Sequence, residues 1–225
     1  MISTIKSKIK TSKFFWKWRS FITNKITGNN KIAKKGINNQ IDYGTALLLN
    51  SRILIKGNNN AITFGNQSRL EVDIKIYGDN NVIEIGENCS VKGTKFWVED
   101  QNNKILIGNA TTIEKDTELA CIEGCNITIG VDCMLSSDIV VRTGDSHSIV
   151  DLQGKRINPS RNVVVGNHVW IGHKAVLSKG AGVSNHSIVA SGAMVTSSFE
   201  EGNCILGGFP AVVIKSNIDW MRERI

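Results

Sequence analysis

Several things are scarce in this chain. Only 2 of its 225 residues are proline, against 21 glycines, so the connections are tight turns with little rigid linker. No stretch approaches 18 consecutive apolar residues, which excludes a membrane-spanning helix. The N-terminus lacks the apolar core of a cleavable secretion signal, so the five cysteines (Cys89, Cys121, Cys125, Cys133, Cys204) read as reduced thiols of a cytoplasmic protein. Cys121 and Cys125 lie four apart, but no second pair or nearby histidine completes a tetrahedral set, and no metal is expected.

Acidic residues are missing altogether from positions 1–41, where ten of the 27 Lys and Arg residues fall. The other 184 residues carry 17 basic side chains against 20 acidic ones, so the net +7 belongs to the leader and not to the body. A nucleic-acid binder would spread positive charge over its folded surface, and no nucleic-acid partner is expected. Residues 3–23 interleave lysines with Ile5, Ile9, Phe14, Phe15, Trp16, Trp18, Phe21 and Ile22. Two readings stay open for this amphipathic segment: peripheral contact with the inner face of an anionic membrane, or a helix that docks on the protein's own assembly or simply frays.

What the chain has in abundance is periodicity. From Val165 an apolar residue recurs at every sixth position (Ile171, Leu177, Val183, Val189, Val195), each followed by a small one (Gly166, Gly172, Ser178, Ser184, Ala190, Thr196). Six is no helical period; it suits a parallel β-helix whose short strands each send one branched side chain into a shared core. Upstream, Asn-Asn corners precede alternating strands that end at Gly65, Gly86 and Gly108, and a shorter copy ends at Gly130, with spacings of 21, 22 and 22. Asparagine tolerates left-handed backbone angles, which gives these corners a mechanism. The next equivalent glycine, Gly166, is 36 residues on, so a surplus must loop out, and residues 143–162 are the candidate. The expected plan is an all-β solenoid: a basic N-terminal segment over 1–37, a parallel β-helix over 38–214 with the protruding loop 143–162, and a C-terminal helix over 215–225 covering the open coil end.

The ordered set Asp145-Ser146-His147, Val169-Trp170-Ile171-Gly172, Val189-Ala190-Ser191-Gly192-Ala193 and Gly208-Phe209-Pro210-Ala211 through Ile214-Lys215 closely resembles the hexapeptide-repeat acetyltransferases. Asn217-Ile218-Asp219-Trp220 is similar to their bacterial polysaccharide O-acetyltransferase branch. The resemblance implies a left-handed β-helix, a homotrimer with active sites between neighbouring subunits, and acetyl-CoA as donor. It also implies a glycan acceptor such as capsule, lipooligosaccharide or a sialic-acid-type polymer. Phe209 stands where the family commonly has Asn, and Val212 where it often has a basic residue, so a CoA-phosphate contact is either missing or supplied by Lys215 or a loop arginine.

Acyl transfer from a thioester to a hydroxyl needs a base within hydrogen-bond reach, because an alcohol is a poor nucleophile near neutral pH. Imidazole is mostly unprotonated there. His147 is therefore the expected general base, with a backbone N–H as the oxyanion donor. Asp145 is read either as orienting the His147 ring or as capping its turn. Trp170 is read as core or trimer packing or, by the resemblance, as a shield beside the reacting centre. Gly172, Ala190 and Gly208 are spaced by 18, so they serve either as tight turns or as a small-residue column admitting a pantetheine arm, with Thr196, Ser197 and Lys215 toward the nucleotide end. His168, His173 and His186 read as turn or surface residues. Arg142, Lys155, Arg156 and Arg161 bracket the loop and suit equally an acidic glycan, CoA phosphates or a solvated rim. Two other functions compete with this one: an N-acetyltransferase acting on a nucleotide-linked amino sugar, and a non-catalytic scaffold.

Overall fold

The computed structural model describes residues 13–225. Its body is a β-solenoid built from three parallel ladders. The third ladder counts the coils directly: Gln40–Asp42, Ala61–Phe64, Val82–Ile85, Lys104–Ile107, Asn126–Ile129, Val163–Val165, Gly182–Val183 and Ser198–Phe199 stack in sequence order. The first face runs from Leu47–Leu48 through Thr112–Ile113, Met134–Leu135, Trp170–Ile171 and Ile188–Val189 to Cys204–Gly208. The second carries Lys31–Lys35, Arg52–Lys56, Glu118–Ile122, Val140–Arg142, Val176–Leu177 and Met194–Val195. Strands Arg69–Tyr77 and Ser90–Glu99 run round the corner between these two faces, pairing with both. Strand pairing begins at Lys31, within the segment expected to precede the solenoid.

Alternation explains the core. Val165, Ile171, Leu177, Val183, Val189 and Val195, the hexapeptide residues, are all buried, as are the inward Ile and Phe residues of the early coils. Each coil alone cannot cover its apolar face, so stability comes from stacking. The Asn-Asn corners do what their composition suggests, with the two residues dividing the work. The first of each pair (Asn38, Asn59, Asn80, Asn102) takes a left-handed φ between 56° and 64°. The second forms an amide ladder, buried from Asn60 onward: Asn39 Oδ1 accepts the Asn60 N–H at 3.0 Å, Asn60 Oδ1 that of Asn81 at 2.9 Å, and Asn81 Oδ1 that of Asn103 at 2.9 Å. Side chains thus pair backbone groups that a corner would otherwise bury unpaired.

Helix α1 (Lys13–Ile22) and the turn Thr23–Thr27 close the N-terminal end. Ser20 Oγ donates to the Ala46 carbonyl at 2.7 Å, and Asn24 bonds Ala46 and Leu48, so the helix seats on its own solenoid. Trp18 and Phe21 stay exposed. The expectations placed on residues 3–12, Ile5 and Ile9 included, lie outside the described residues. Among the described residues no helix is long and apolar enough to cross a membrane.

The C-terminal helix expected over 215–225 does not form. Ala211–Ser216 is instead a strand antiparallel to Cys204–Gly208. Asn217 then turns with φ 59°, and the remainder runs back across earlier coils without helical hydrogen bonds. A segment this short gains little from its own helix. It gains more by burying Trp220 and spreading Arg222 over Asp132, Thr112 and the carbonyls of Ala110 and Cys133.

Candidate active site

The loop leaves the solenoid after Arg142 and returns at Val163, and Asn126–Ile129 pairs directly with Val163–Val165 across its base. Thr143 anchors the exit. Its buried Oγ1 accepts the Ile122 N–H at 2.9 Å, and its carbonyl accepts the Arg161 N–H at 2.9 Å. The loop is organised around Asn158, which is 5% exposed. Asn158 Nδ2 donates both to Asp145 Oδ2 and to the His147 carbonyl, each at 2.8 Å, while its Oδ1 accepts from the Ile149 N–H at 2.7 Å. Sequence reasoning passed over this residue; the signal available was its place before Pro159, a turn dipeptide.

Asp145 is held by the Lys179 ammonium as well. That hydrogen bond first, then the Asn158 amide, holds its carboxyl below the ordinary carboxylate range. Among the described residues no hydrogen bond joins Asp145 to the His147 ring. Asp145 fixes the loop that carries His147, by way of the amide both share. The His147 side chain is exposed, and Ser146 before it takes φ 64°. The pinned turn thus orients His147 through its backbone and leaves the imidazole open to solvent.

Three of the four loop cations are spent internally. Arg142 pairs with Glu118 at 2.6 Å, Arg156 with Glu123 at 2.7 Å, and Arg161 donates to the Lys179 carbonyl at 3.3 Å. Ser160 N–H joins Arg156 on Glu123, and the Arg156 hydrogen bond is the main reason the Glu123 carboxyl is depressed.

Most of the remaining predicted residues lie on another face. Trp170, 38% exposed, sits on the first face between Met134 and Ile188. Gly172 and Ala190 follow at the same corner, but the register continues to Gly207 rather than Gly208, because Val189 opposes Leu206 only 17 residues on. Gly207 is buried, whereas Gly208 is exposed at φ 103°. At Gly172 an added Cβ would stand 2.6 Å from the Ser191 nitrogen, so close coil packing requires a residue without a side chain there. Lys215 is exposed on the antiparallel strand, opposite Ile205. Thr196 and Ser197 are exposed after Val195, at the end of the second face, which also carries the histidine loop. One chain therefore divides the candidate residues between two faces: His147, Asp145, Thr196 and Ser197 on one, Trp170, Gly172, Ala190, Gly208 and Lys215 on the other.

Beside Trp170 lies an arrangement the sequence did not announce. Trp220 is 6.2 Å from the Trp170 ring and stacks on His168 at 4.2 Å and 10°. Trp220 Nε1–H donates to the His168 carbonyl at 2.8 Å. His168 Nδ1 lies 2.7 Å from Asp132 Oδ2, and its Nε2 lies 2.9 Å from the Trp220 carbonyl oxygen. His186 Nδ1 is 3.3 Å from Asp219, and His168, His186 and Asp219 converge within 4.8 Å. Both His168 nitrogens face acceptors, which favours the doubly protonated ring. Partial burial opposes the charge, but the Trp220 carbonyl and the Asp132 carboxylate outweigh it, and the His168 pKa is raised.

The five cysteines are buried and free, and burial raises the Cys121 thiol to about 12 and the Cys133 thiol to about 11. Neither is a nucleophile at neutral pH.

No model of a known protein family matches the sequence. The chain is 34% identical over 137 residues to a polysialic acid O-acetyltransferase of Escherichia coli O1:K1, a match covering 60% of this chain and 43% of that protein. It is 33% identical over 159 residues to a polysialic acid O-acetyltransferase of Neisseria meningitidis, covering 61% of this chain and 74% of that one. Among solved structures, the polysialic acid O-acetyltransferase OatWY superposes with a TM-score of 0.81 at 32% identity, over 86% of this chain and 92% of that one. Fold, repeat and relatives agree: the chain is an acyltransferase and belongs to the hexapeptide-repeat acetyltransferases, in the left-handed β-helix branch that holds the polysaccharide O-acetyltransferases.

Proposed function

We propose that this protein is an acetyl-CoA-dependent O-acetyltransferase that modifies a hydroxyl of a bacterial surface polysaccharide, acting in the cytoplasm as a homotrimer. Acetyl-CoA supplies the activated acyl group as a thioester. His147 removes the proton of the acceptor hydroxyl as its oxygen bonds to the thioester carbonyl carbon. The carbon–sulfur bond then breaks, and the imidazolium returns its proton to the departing thiolate, so that the products are the sugar acetate and free thiol. Asp145 and Asn158 position the loop, and Trp170 shields the junction from water.

The observation that carries this reading is the division of the site over two faces. His147 stands exposed on the second face, while Trp170 and the small-residue corner of Gly172 and Ala190 lie on the first. A second copy presenting its first face to the histidine loop would unite them, which is what a cyclic homo-oligomer does. An extended arm would lie against the Gly172–Ala190 corner, whose side chains close coil packing keeps small, with Lys215 on the adjoining strand and Thr196 and Ser197 offering polar contacts for the nucleotide.

The test measures thiol release from acetyl-CoA across a panel of polysaccharides. His147→Ala is expected to lower turnover by about 100-fold or more, within the range general-base removal costs. Trp170→Ala is expected to lower it as well, and co-expression of the two variants should restore part of the activity. Mixed trimers contain interfaces that join an intact His147 to an intact Trp170. Absence of any recovery in mixed oligomers would place the site within one chain and sink the intersubunit reading.

A further inference from the structure

The second face carries a groove that the acyl-transfer chemistry does not use. Cross-strand register stacks Lys75, Trp97, Ala120 and Arg142 in one outward column on four successive coils. Ala120 is the small member, so the surface dips between the Trp97 indole and the Arg142 side chain, two coil steps apart, or about 9–10 Å. The cavity measures 380 Å³, within the range of ordinary ligand pockets, and its far wall is Gly144 and Ser146, directly before His147. It is therefore continuous with the loop that holds the base.

The aromatic at its lower end is fixed in orientation. Trp97 is 37% exposed, its ring lies 5.1 Å from that of Tyr77, and its Nε1–H donates to Glu99 Oε2 at 3.1 Å. The charges around it balance: Arg142 pairs with Glu118, the Lys75 ammonium stands over the Trp97 ring at 5.8 Å, and the Glu99 carboxylate accepts the indole N–H. A flat ring with a carboxylate beside it and a paired guanidinium above suits a sugar ring. Its C–H face lies on the indole, and its hydroxyls donate to Glu99 and Glu118. With its two carboxylates offset by two cations, the groove offers no net attraction to a polymer that carries an acid on every unit.

We infer that the Trp97–Ala120–Arg142 groove is an acceptor subsite for an uncharged, hydroxyl-rich stretch of glycan, holding units beside the one presented to His147. This rests on the acyl-transfer reading of the loop, and it separates this chain's acceptor from a polyanion by the charge lining its groove.

The experiment uses the full-length protein carrying His147→Ala, so that binding is read without turnover. Calorimetric titrations compare uncharged glucan, galactan and N-acetylhexosamine oligomers with sialic acid oligomers of equal length. The expected result is that at least one uncharged class binds and sialic acid oligomers bind at least about tenfold more weakly. Adding Trp97→Ala should cost about tenfold, and Trp97→Phe should cost less, since a ring is kept. Adding Glu99→Lys should raise the affinity for sialic acid oligomers. Tighter binding of sialic acid oligomers than of every uncharged class would overturn the inference, as would affinities unmoved by Trp97→Ala. The two readings fail separately. Binding in the groove without acyl transfer by the His147-intact protein would refute the chemistry alone, and transfer indifferent to Trp97 would refute the subsite alone.

Discussion

Raising the pH should release the C-terminal tail from His168 and loosen Trp170 with it. The ring faces two acceptors at once, the Asp132 carboxylate at 2.7 Å and the Trp220 carbonyl at 2.9 Å, and only the imidazolium can donate to both. The other charged groups around it are Asp219 at 3.5 Å from Nε2, His186 with its ring tilted at 5.2 Å, and Arg222, which pairs with Asp132 and lies over Trp220. Because the folded pKa is raised above the ordinary 6.5, the stabilisation is fully present below that value and is lost as pH climbs through the raised one. Deprotonation removes one donated bond and turns a lone pair toward an oxygen. A charge-assisted bond is worth about 1.5–3 kcal/mol; with this side chain 22% exposed, about 1 kcal/mol is the reasonable share. That is roughly a fivefold rise in the ratio of released to docked tail. Fluorotryptophan NMR reads it directly, with the Trp220 resonance assigned by Trp220→Phe. Between about pH 5.5 and about pH 8.5 the Trp220 signal should shift toward its solvent-exposed position, and Trp170, 6.2 Å away, should follow. His168→Gln should abolish the pH dependence. A Trp220 signal that stays still over this range, or that titrates unchanged in His168→Gln, would refute the reasoning.

Two further outcomes concern the scaffold and the loop. Asn81→Ala removes the acceptor for the buried Asn103 N–H and the donor to the Asp100 carbonyl, which should cost about 2–3 kcal/mol and lower the thermal midpoint by about 5–10 °C; a fall below about 2 °C would show that the amide ladder is not holding the corners. Lys179→Met should leave global stability within about 1 kcal/mol, since the ion pair is partly exposed, yet reduce turnover by about tenfold through misplacement of His147, as steady-state kinetics beside a melting curve would show. In the unaltered protein the Asp145 carboxyl is depressed, so its share of loop stability is present above the ordinary 3.8 and disappears only as pH falls through the lowered value. Proteolysis within residues 143–162 should therefore accelerate in acid but not between neutral pH and pH 5.

Much of this protein was legible one residue at a time. The six-residue beat from Val165 to Val195 specified which side chains enter the core, because a repeat forces every coil to solve the same packing problem. The Asn-Asn corners foretold both the left-handed angle and the turn, and the 36-residue gap before Gly166 located the loop that carries His147. These are local or periodic properties, fixed by what each residue type permits. What only the tertiary structure decided are pairings between residues far apart in the chain. The tail over 217–225 has the composition of a helix but lies flat, because Trp220 and Arg222 find partners up to 112 residues away. Asp145 takes Lys179 and Asn158 in place of the His147 ring, and a deletion of one residue between Val189 and Leu206 moves the small-residue column to Gly207. Trp97 and Arg142 become neighbours across Ala120 only through strand register. A sequence states which contacts a residue is able to make; which of them it makes is settled when the coils stack and bring the alternatives into competition.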